Sequence, residues 1–396
     1  MNPPADVPWP MRSISDIADF GSGDLISVAQ LQRRRSPRFS VPVYGGNGIA
    51  GFTSTATVSG PTVILGRVGQ KCGVVYRNSG PAWITDNALY ARRFKRPLDV
   101  RFFALALEAA RLNDMKNKND LPLITQGILN DVKLAWPHSM AEQSAIADAV
   151  DDVDQCIGAL ERLVAKKQAI KQSFIQQLLT GDVRLPGFDQ PWVSLPVASR
   201  SVLKARIGWQ GLKTEEYRET GTHRLVGGTE FADGRVDWSK TPFVDKWRYD
   251  QDSYIQLRPG DVLLTKDGSI GKTAFVHDVP GPATLNSGVF VIRPVREAYE
   301  PRFLYFMLRS RFFEDFIGRL TAGSTINHLY QRDLVTLVLP APASLEEQRK
   351  IAEVLSDAEA EVGALQTRLA KTRAIKTGMM QQLLSGRTQL PAEAAS

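Results

Sequence analysis

With only two cysteines, Cys72 and Cys156, the chain has no disulfide framework to staple it. Its four histidines, His138, His223, His277 and His328, are scattered without metal-ligand spacing, so no metal site is expected. No run approaches the roughly 18 apolar residues of a membrane span, and the opening MNPPADVPWP lacks an apolar signal-peptide core. No membrane partner and a cytoplasmic location are therefore the default expectation. A Ser/His/Asp arrangement is missing, as is an acidic pair followed by Asp/Glu-x-Lys, which argues against hydrolase and nuclease centres.

Three short motifs imitate cofactor sites and fall short. Gly268-Ser269-Ile270-Gly271-Lys272-Thr273 has the ending of a phosphate-binding loop, but Lys266 stands where the first glycine is required. Asp19-Phe20-Gly21-Ser22-Gly23 hints at an S-adenosylmethionine loop and Asn2-Pro3-Pro4-Ala5 at an adenine methyltransferase motif. The latter lacks its aromatic residue and the two lie too close together to bracket a cofactor domain, so turns explain them better. The catalytic inventory is empty.

What is present begins with charge. Forty-nine basic against 42 acidic residues give +7, compatible with nucleic acid without being diagnostic of it. Arg33, Arg34, Arg35 and Arg38 cluster early, followed by Arg92, Arg93, Lys95 and Arg96. For any one such cluster a solvated face is the better reading.

An internal repeat organises the rest. Ser139–Pro186 recurs at Ser344–Pro391 at a constant offset of 205 residues, with 21 of 48 paired positions identical. Each copy reads as one long helix. Ser139-x-x-Glu142 and Ser344-x-x-Glu347 are capping boxes, in which the serine accepts from a free backbone N–H and the glutamate reaches back. Gly181 and Gly386 stand at left-handed C-terminal caps, each with a proline five residues on. About 40 residues between caps make a rod roughly 60 Å long at 1.5 Å per residue.

The apolar seam alternates by four and three: Ile146, Val150, Val153, Ile157, Leu160, Val164, and in the second copy Ile351, Leu355, Ala358, Val362, Leu365, Leu369. Both seams break, at Lys167 and Thr372, and resume as Ile170/Phe174/Leu178 and Ile375/Met379/Leu383. So narrow a stripe wants a partner helix, and the other copy is the obvious one. An antiparallel pair would carry a globular domain to either end; the alternative is that each helix packs on its own domain.

The segments between the helices echo each other weakly. Trp9 matches Trp192, Val43–Asn47 resembles Leu225–Thr229, Leu65–Gly69 resembles Leu264–Gly268, and Arg101–Phe103 resembles Arg302–Leu304. Each mixes β-branched runs and glycine turns with a helix near residues 99–113 or 301–319, and closes on a strand-like run ending in proline, Val132–Pro137 or Leu334–Pro340. The expected fold class is α+β, a pseudo-twofold tandem duplication. It divides into a globular domain at 1–138, a helix at 139–186, a second domain at 187–342, a second helix at 343–386 and a tail at 387–396. The helices kept their sequence while the globular halves diverged, as expected of a protein that holds geometry constant and varies what it touches.

These residues resemble the specificity subunit of type I restriction-modification systems over essentially the full length. The resemblance rests on Glu142-Gln143-x-x-Ile146-Ala147, Glu347-Gln348-x-x-Ile351-Ala352, and Gln-Gln-Leu-Leu-x-Gly at 176–181 and 381–386. It implies two target recognition domains, each reading half of a bipartite double-stranded DNA site, joined by antiparallel coiled-coil helices. It further implies two methyltransferase subunits and two motor-nuclease subunits as partners. S-adenosylmethionine, ATP and Mg would then belong to those partners and no cofactor to this chain. One departure is that the first domain has Leu121-Pro122-Leu123-Ile124-Thr125-Gln126 opposite Gly323-Ser324-x-Ile326-Asn327-His328 of the second, which puts equivalent DNA contacts there in doubt.

Phosphate contacts supply affinity and base-edge contacts supply sequence. Candidate phosphate binders are Lys71, Arg92, Arg93, Lys213, Lys246 and Lys272. Candidate base readers are Asn47, Arg67 and Gln126 in the first domain and Lys266, Asn286, Asn327 and His328 in the second. Arg67 and Lys266 stand out because small neighbours let a backbone approach a duplex. Two heads on one face of DNA need half-sites about 34–36 Å apart. Competing readings are a coiled-coil scaffold or adaptor whose globular ends bind proteins, and a self-sufficient methyltransferase or nuclease.

Overall fold

The computed structural model describes residues 9–115, 122–207, 211–321, 328–388 and 390. The chain forms two compact units, one of residues 1–162 with 367–396 and the other of residues 163–366. Each therefore contains one globular region and a part of both long helices.

In the first unit an antiparallel sheet runs in the order Ala18–Ser22, Ala88–Phe94, Val63–Gly66, Val75–Arg77. Val63, Ile64 and Leu65 are all fully buried because both faces of their strand are covered. With a side-chain period of two, Val63 and Leu65 pack with Phe102 and Phe103 of the helix Val100–Ala109. Ile64 points the other way, into a cluster with Tyr44 and Ile84 from a smaller sheet ordered Gly48–Thr53, Val41–Gly45, Trp83–Ile84. The second unit repeats the arrangement. Val262 and Leu264 face Phe303, whereas Leu263 faces Val226 and Leu285. The expected helix near 301–319 is broken into Pro301–Met307 and Arg311–Thr321, with the Ser310 hydroxyl donating to the Met307 carbonyl between them.

The first long helix runs continuously over Met140–Leu178 and the second over Leu345–Leu384. Gly181 and Gly386 have φ of 76° and 72°, the left-handed conformation required to end them. Each cap lies against a tryptophan. A Cβ on Gly386 would come within 2.9 Å of the Trp9 ring, and one on Gly181 within 3.2 Å of the Trp192 ring. Only half of each capping box forms as expected. Ser139 accepts from the Glu142 N–H (3.1 Å) and Ser344 from the Glu347 N–H (3.5 Å). The glutamates do not return to the serine: Glu142 accepts from the His138 N–H and the Trp9 indole, and Glu347 from Arg184 at 2.7 and 2.8 Å.

The beginning of each helix is also core. Ile146, Ala147 and Val150 pack with Phe102 and with Leu383 and Leu384; Ile351, Ala352 and Leu355 pack with Phe303 and with Leu178 and Leu179. The glutamine that follows each glutamate is 3% exposed in both copies. Gln143 Oε1 accepts from the N–H of Asp99 at 3.0 Å, and Gln348 Oε1 from the N–H of Glu300 at 2.9 Å. Asp99 and Glu300 are the N-caps of the helices Val100–Ala109 and Pro301–Met307. The repeated Glu-Gln pair thus fastens each long helix to its globular region.

Within each unit the two helices pair antiparallel. Asp154 and Glu161 bind Lys376 and Arg373 in the first unit at 2.7 and 2.6 Å. Lys167 and Lys171 bind Glu361 and Glu359 in the second at 2.7 and 4.0 Å. The pairs Asp154–Lys376 and Glu359–Lys171 exchange under the 205-residue offset, so the duplication supplies its own complementary charges. Partly exposed pairs of this kind contribute about 0–1 kcal/mol each and chiefly set register. Along the seam Val150, Leu160, Val164, Ile351, Leu355 and Val362 are buried, and Val153, Ile157, Ala358, Leu365 and Leu369 half-buried. After the breaks the seam departs from the expected line. Phe174 is 37% and Ile375 58% exposed. Ile175 joins the second unit's core instead, and Met380 joins the first's, while Leu178, Met379 and Leu383 pack where expected. A strict heptad drifts by about 20° per repeat from a straight helix, and over the repeats from Ile146 to Phe174 this sums to about 80°, close to the roughly 100° that separates one residue from the next.

Candidate nucleic-acid interface

In the first unit three loops meet at the sheet end that carries Gly66. Gly66 allows the contact: a Cβ there would lie 2.4 Å from the Gly46 carbonyl and 2.5 Å from that of Lys71. The role expected of these glycines, close approach to a duplex, is thus used at least partly inside the protein, to bring loop against loop. Arg67 is held by its main chain, its N–H donating to Asn87 (3.0 Å) and its carbonyl accepting from Ile124 (3.0 Å). Its guanidinium donates to the Asp86 carbonyl at 3.3 Å. Arg67 and Gln126 line one concavity of about 360 Å³ with Ser22. Asn47 lines an adjoining one with Val68, Thr85 and Asn87. Arg92 lies over Gly21 and the Tyr90 ring and donates to the Ser22 carbonyl. Lys71 is exposed in the loop beyond Arg67, and Arg93 is exposed on the strand opposite Asp19. Two features beyond the sequence candidates lie beside them. Asn87 shares the Asn47 concavity. The exposed Arg33, Arg34 and Arg35 make no ion pair among the described residues, and their loop packs on the hairpin bearing Asn47, with Leu31 and Gln32 against Gly51.

The second unit holds Lys266 in the same manner. Its N–H donates to Gly288 (2.9 Å), its carbonyl accepts from Leu329 (2.8 Å), and its ammonium lies 5.4 Å from the Phe290 ring centre. Lys272 reaches the Gly228 carbonyl at 3.2 Å, and Asn286 donates to the Tyr217 hydroxyl at 2.8 Å. His328 Nδ1 is hydrogen-bonded to Asp267 and its ring packs on Tyr330 at 4.4 Å. Lys266, Lys272, Asn286 and His328 are thereby gathered around the Gly227–Gly228 turn. Lys213 and Lys246 sit farther along the same network. The Glu216 carboxylate accepts from the Lys213 N–H and, bidentately, from Arg248 at 2.7 and 2.8 Å. Those contacts hold Glu216 below its usual carboxylate range, the backbone bond most and the Arg248 guanidinium next. Lys246 is paired with Asp250 on its own short helix. Beneath them Arg206 is fully buried, donating to Leu285, Thr284, Gln251 and Arg248; burial, then the neighbouring Arg248 charge, pushes its pKa down. Asn327 lies outside the described residues.

Register differs from the comparison made on sequence. Isolated bridges join Val68 to Leu123 and Asp267 to His328. Thr125 and Tyr330 are the N-caps of two equivalent short helices, Gln126–Asn130 and Gln331–Leu334. Leu123 therefore corresponds to His328 and Gln126 to Gln331, so the 205-residue offset already holds before Ser139. The phosphate-loop look-alike at 268–273 is a hairpin turn between Val262–Thr265 and Thr273–Phe275, in which the Thr265 hydroxyl accepts from the Lys272 N–H. Residues 18–22 are a strand, not a turn; residues 2–5 lie outside the described residues. Among the described residues no His/Cys/Asp/Glu group could hold a metal, and no helix is long and apolar enough to cross a membrane.

Two matched faces, each built from glycine turns and basic or amide side chains, set the question of family. The type I restriction modification DNA specificity domain matches twice, at residues 6–172 and 212–371. The chain belongs to this family. It is a specificity subunit, a DNA-recognition component and not itself an enzyme. It is 22% identical over 313 residues to the specificity subunit of the type I restriction enzyme MjaVIII from Methanocaldococcus jannaschii, covering 73% of this chain and 70% of that one. With the EcoprrI specificity subunit of Escherichia coli it shares 26% identity over 158 residues, 40% of this chain and 39% of the other. The crystal structure of the type I restriction-modification S subunit from M. genitalium has the same fold, with a TM-score of 0.69 at 16% identity over 97% of this chain and 98% of that one. The twice-matching specificity domain agrees with the duplication.

Proposed function

We propose that each unit reads one half of a bipartite double-stranded DNA target, and that the spacer between the halves is set by the two long helices. The observation that carries this reading is the pair of equivalent cradles. Arg67 and Lys266 are held by the same two backbone hydrogen bonds on faces that otherwise differ in chemistry. Asn47, Arg67 and Gln126 act on base edges in one half-site, and Lys266, Asn286 and His328 in the other, since arginine, lysine and amide side chains match guanine and adenine edges. Lys71, Arg92, Arg93, Lys213, Lys246 and Lys272, with Arg33–Arg35, supply phosphate contacts that position the duplex. Two methyltransferase subunits and two motor-nuclease subunits assemble on the chain in the cytoplasm and bind S-adenosylmethionine, ATP and Mg.

The test is binding of the full chain, with its methyltransferase partner, to a duplex pool at several salt concentrations. Affinity should fall steeply with salt, and Lys71→Ala should lessen the slope by about one phosphate contact while weakening all sequences alike. Arg67→Ala or Lys266→Ala should instead relax preference at one position by about 1–3 kcal/mol. Binding that ignores salt would favour a protein scaffold over a DNA reader.

A further inference from the structure

The two recognition faces can be compared position by position because their frameworks superpose in hydrogen-bonding pattern. At the base of each face lies one isolated antiparallel bridge, Val68 with Leu123 in the first unit and Asp267 with His328 in the second. The residue before the bridge is held identically in both, Arg67 by Asn87 and Ile124 and Lys266 by Gly288 and Leu329, at 2.8–3.0 Å. The residue after it, Ile124 or Leu329, is fully buried. The backbone at this point is one structure made twice, and only the side chains differ.

That difference has no structural purpose visible in the fold. The first unit closes the bridge with two half-buried aliphatic residues, so the framework does not need a polar pair there. The second unit nevertheless places a carboxylate 41% and an imidazole 29% exposed at the same site. Asp267 engages Nδ1 and the Tyr330 ring supports one side of the imidazole, which orients the ring and leaves Nε2 without a partner among the described residues. An oriented, partly exposed ring nitrogen is what reading a base edge through a hydrogen bond requires, whereas an aliphatic pair can read only the thymine methyl.

We infer that this bridge is a specificity-determining pair: His328, positioned by Asp267, reads one base of the second half-site through Nε2, and Val68 with Leu123 makes an apolar contact at the equivalent position of the first. The inference rests on the reading that each unit recognises one half-site. It adds Asp267, Val68 and Leu123 to the recognition residues, with Asp267 acting through His328.

The experiment is selection from a randomised duplex pool by the full chain bound to its methyltransferase partner, followed by sequencing. Asp267→Val with His328→Leu installs the first unit's own pair and should remove about 5- to 150-fold of preference at a single position of one half-site, leaving the other half-site unchanged. The reciprocal exchange, Val68→Asp with Leu123→His, should change one position of the opposite half-site, and decides the matter if the first variant is poorly folded by circular dichroism. Asp267→Asn, which keeps an acceptor for Nδ1–H, should retain the base and weaken discrimination less than Asp267→Val. Folded exchange variants that select the parental sequence in both halves would overturn the pair while leaving the DNA-reading function intact. A parental chain that selects no bipartite sequence would overturn both.

Discussion

Replacing Gln348 with alanine removes two hydrogen bonds from a side chain that is 3% exposed: the Glu300 N–H loses its acceptor at 2.9 Å, and the Pro342 carbonyl loses its donor at 2.8 Å. Each backbone group left without a partner costs about 1–3 kcal/mol, so the substitution should weaken the second unit by about 2–6 kcal/mol. That is a large fraction of the 5–15 kcal/mol by which a domain is typically stable. Because the Glu300 N–H begins the helix Pro301–Met307, loss should centre on that helix and the core around Phe303. Hydrogen exchange resolved by peptide gives the assay. Amides of Phe303–Met307 should lose protection by about 30- to 25,000-fold, the same free energy expressed as a ratio. The equivalent helix Val100–Ala109, whose cap is held by Gln143, serves as the internal control and should keep its protection. Gln348→Glu should be worse still, since it substitutes a carboxylate for the donor facing Pro342 and sets it beside the buried Glu347. Unchanged protection at Phe303–Met307, or an equal loss in both helices, would refute the idea that this glutamine fastens one globular region.

Asp261→Asn breaks the bidentate pair with Arg293 (2.6 and 2.7 Å, the carboxylate 1% exposed) and should cost the second unit about 3–5 kcal/mol in urea unfolding. The first unit, where the buried Thr62 hydroxyl donates to the Ala91 carbonyl, should unfold as before; a shift in that unit instead would count against the assignment. Gly386→Ala forces a side chain into φ of 72° and against the Trp9 ring and should lower stability by at least about 1–2 kcal/mol. Gly378→Ala, with open space around its Cβ and inside the same helix two turns before its end, should raise it by about 0.5–1 kcal/mol; thermal melts giving both substitutions the same sign would contradict the cap.

Much of the scaffold is readable along the chain because its causes are local. Helix starts at Ser139 and Ser344, stops at Gly181 and Gly386, and the four-three spacing from Ile146 to Val164 each depend on residues within a few positions of one another. The site was legible only in part. Arg67 and Lys266 carry a signal, glycine flanked by strand-forming residues. Asp267 carries none, because its partner His328 is 61 residues away.

What sequence alone determined, then, is the duplication, the two capped helices and the mixed α+β class of the regions between them. Tertiary structure decided which polar groups meet. The sequences around this bridge have diverged, and it is the bridge itself and the short helix after it that place Leu123 where His328 stands, three positions from Gln126. Folding also turned Glu142 toward Trp9 and Glu347 toward Arg184, and swung the seam from Phe174 to Ile175. The reason is common to all of these. A cap or a period is satisfied by the residue's own neighbours, but a hydrogen bond across a core is chosen by whichever distant group the packing of the whole unit delivers.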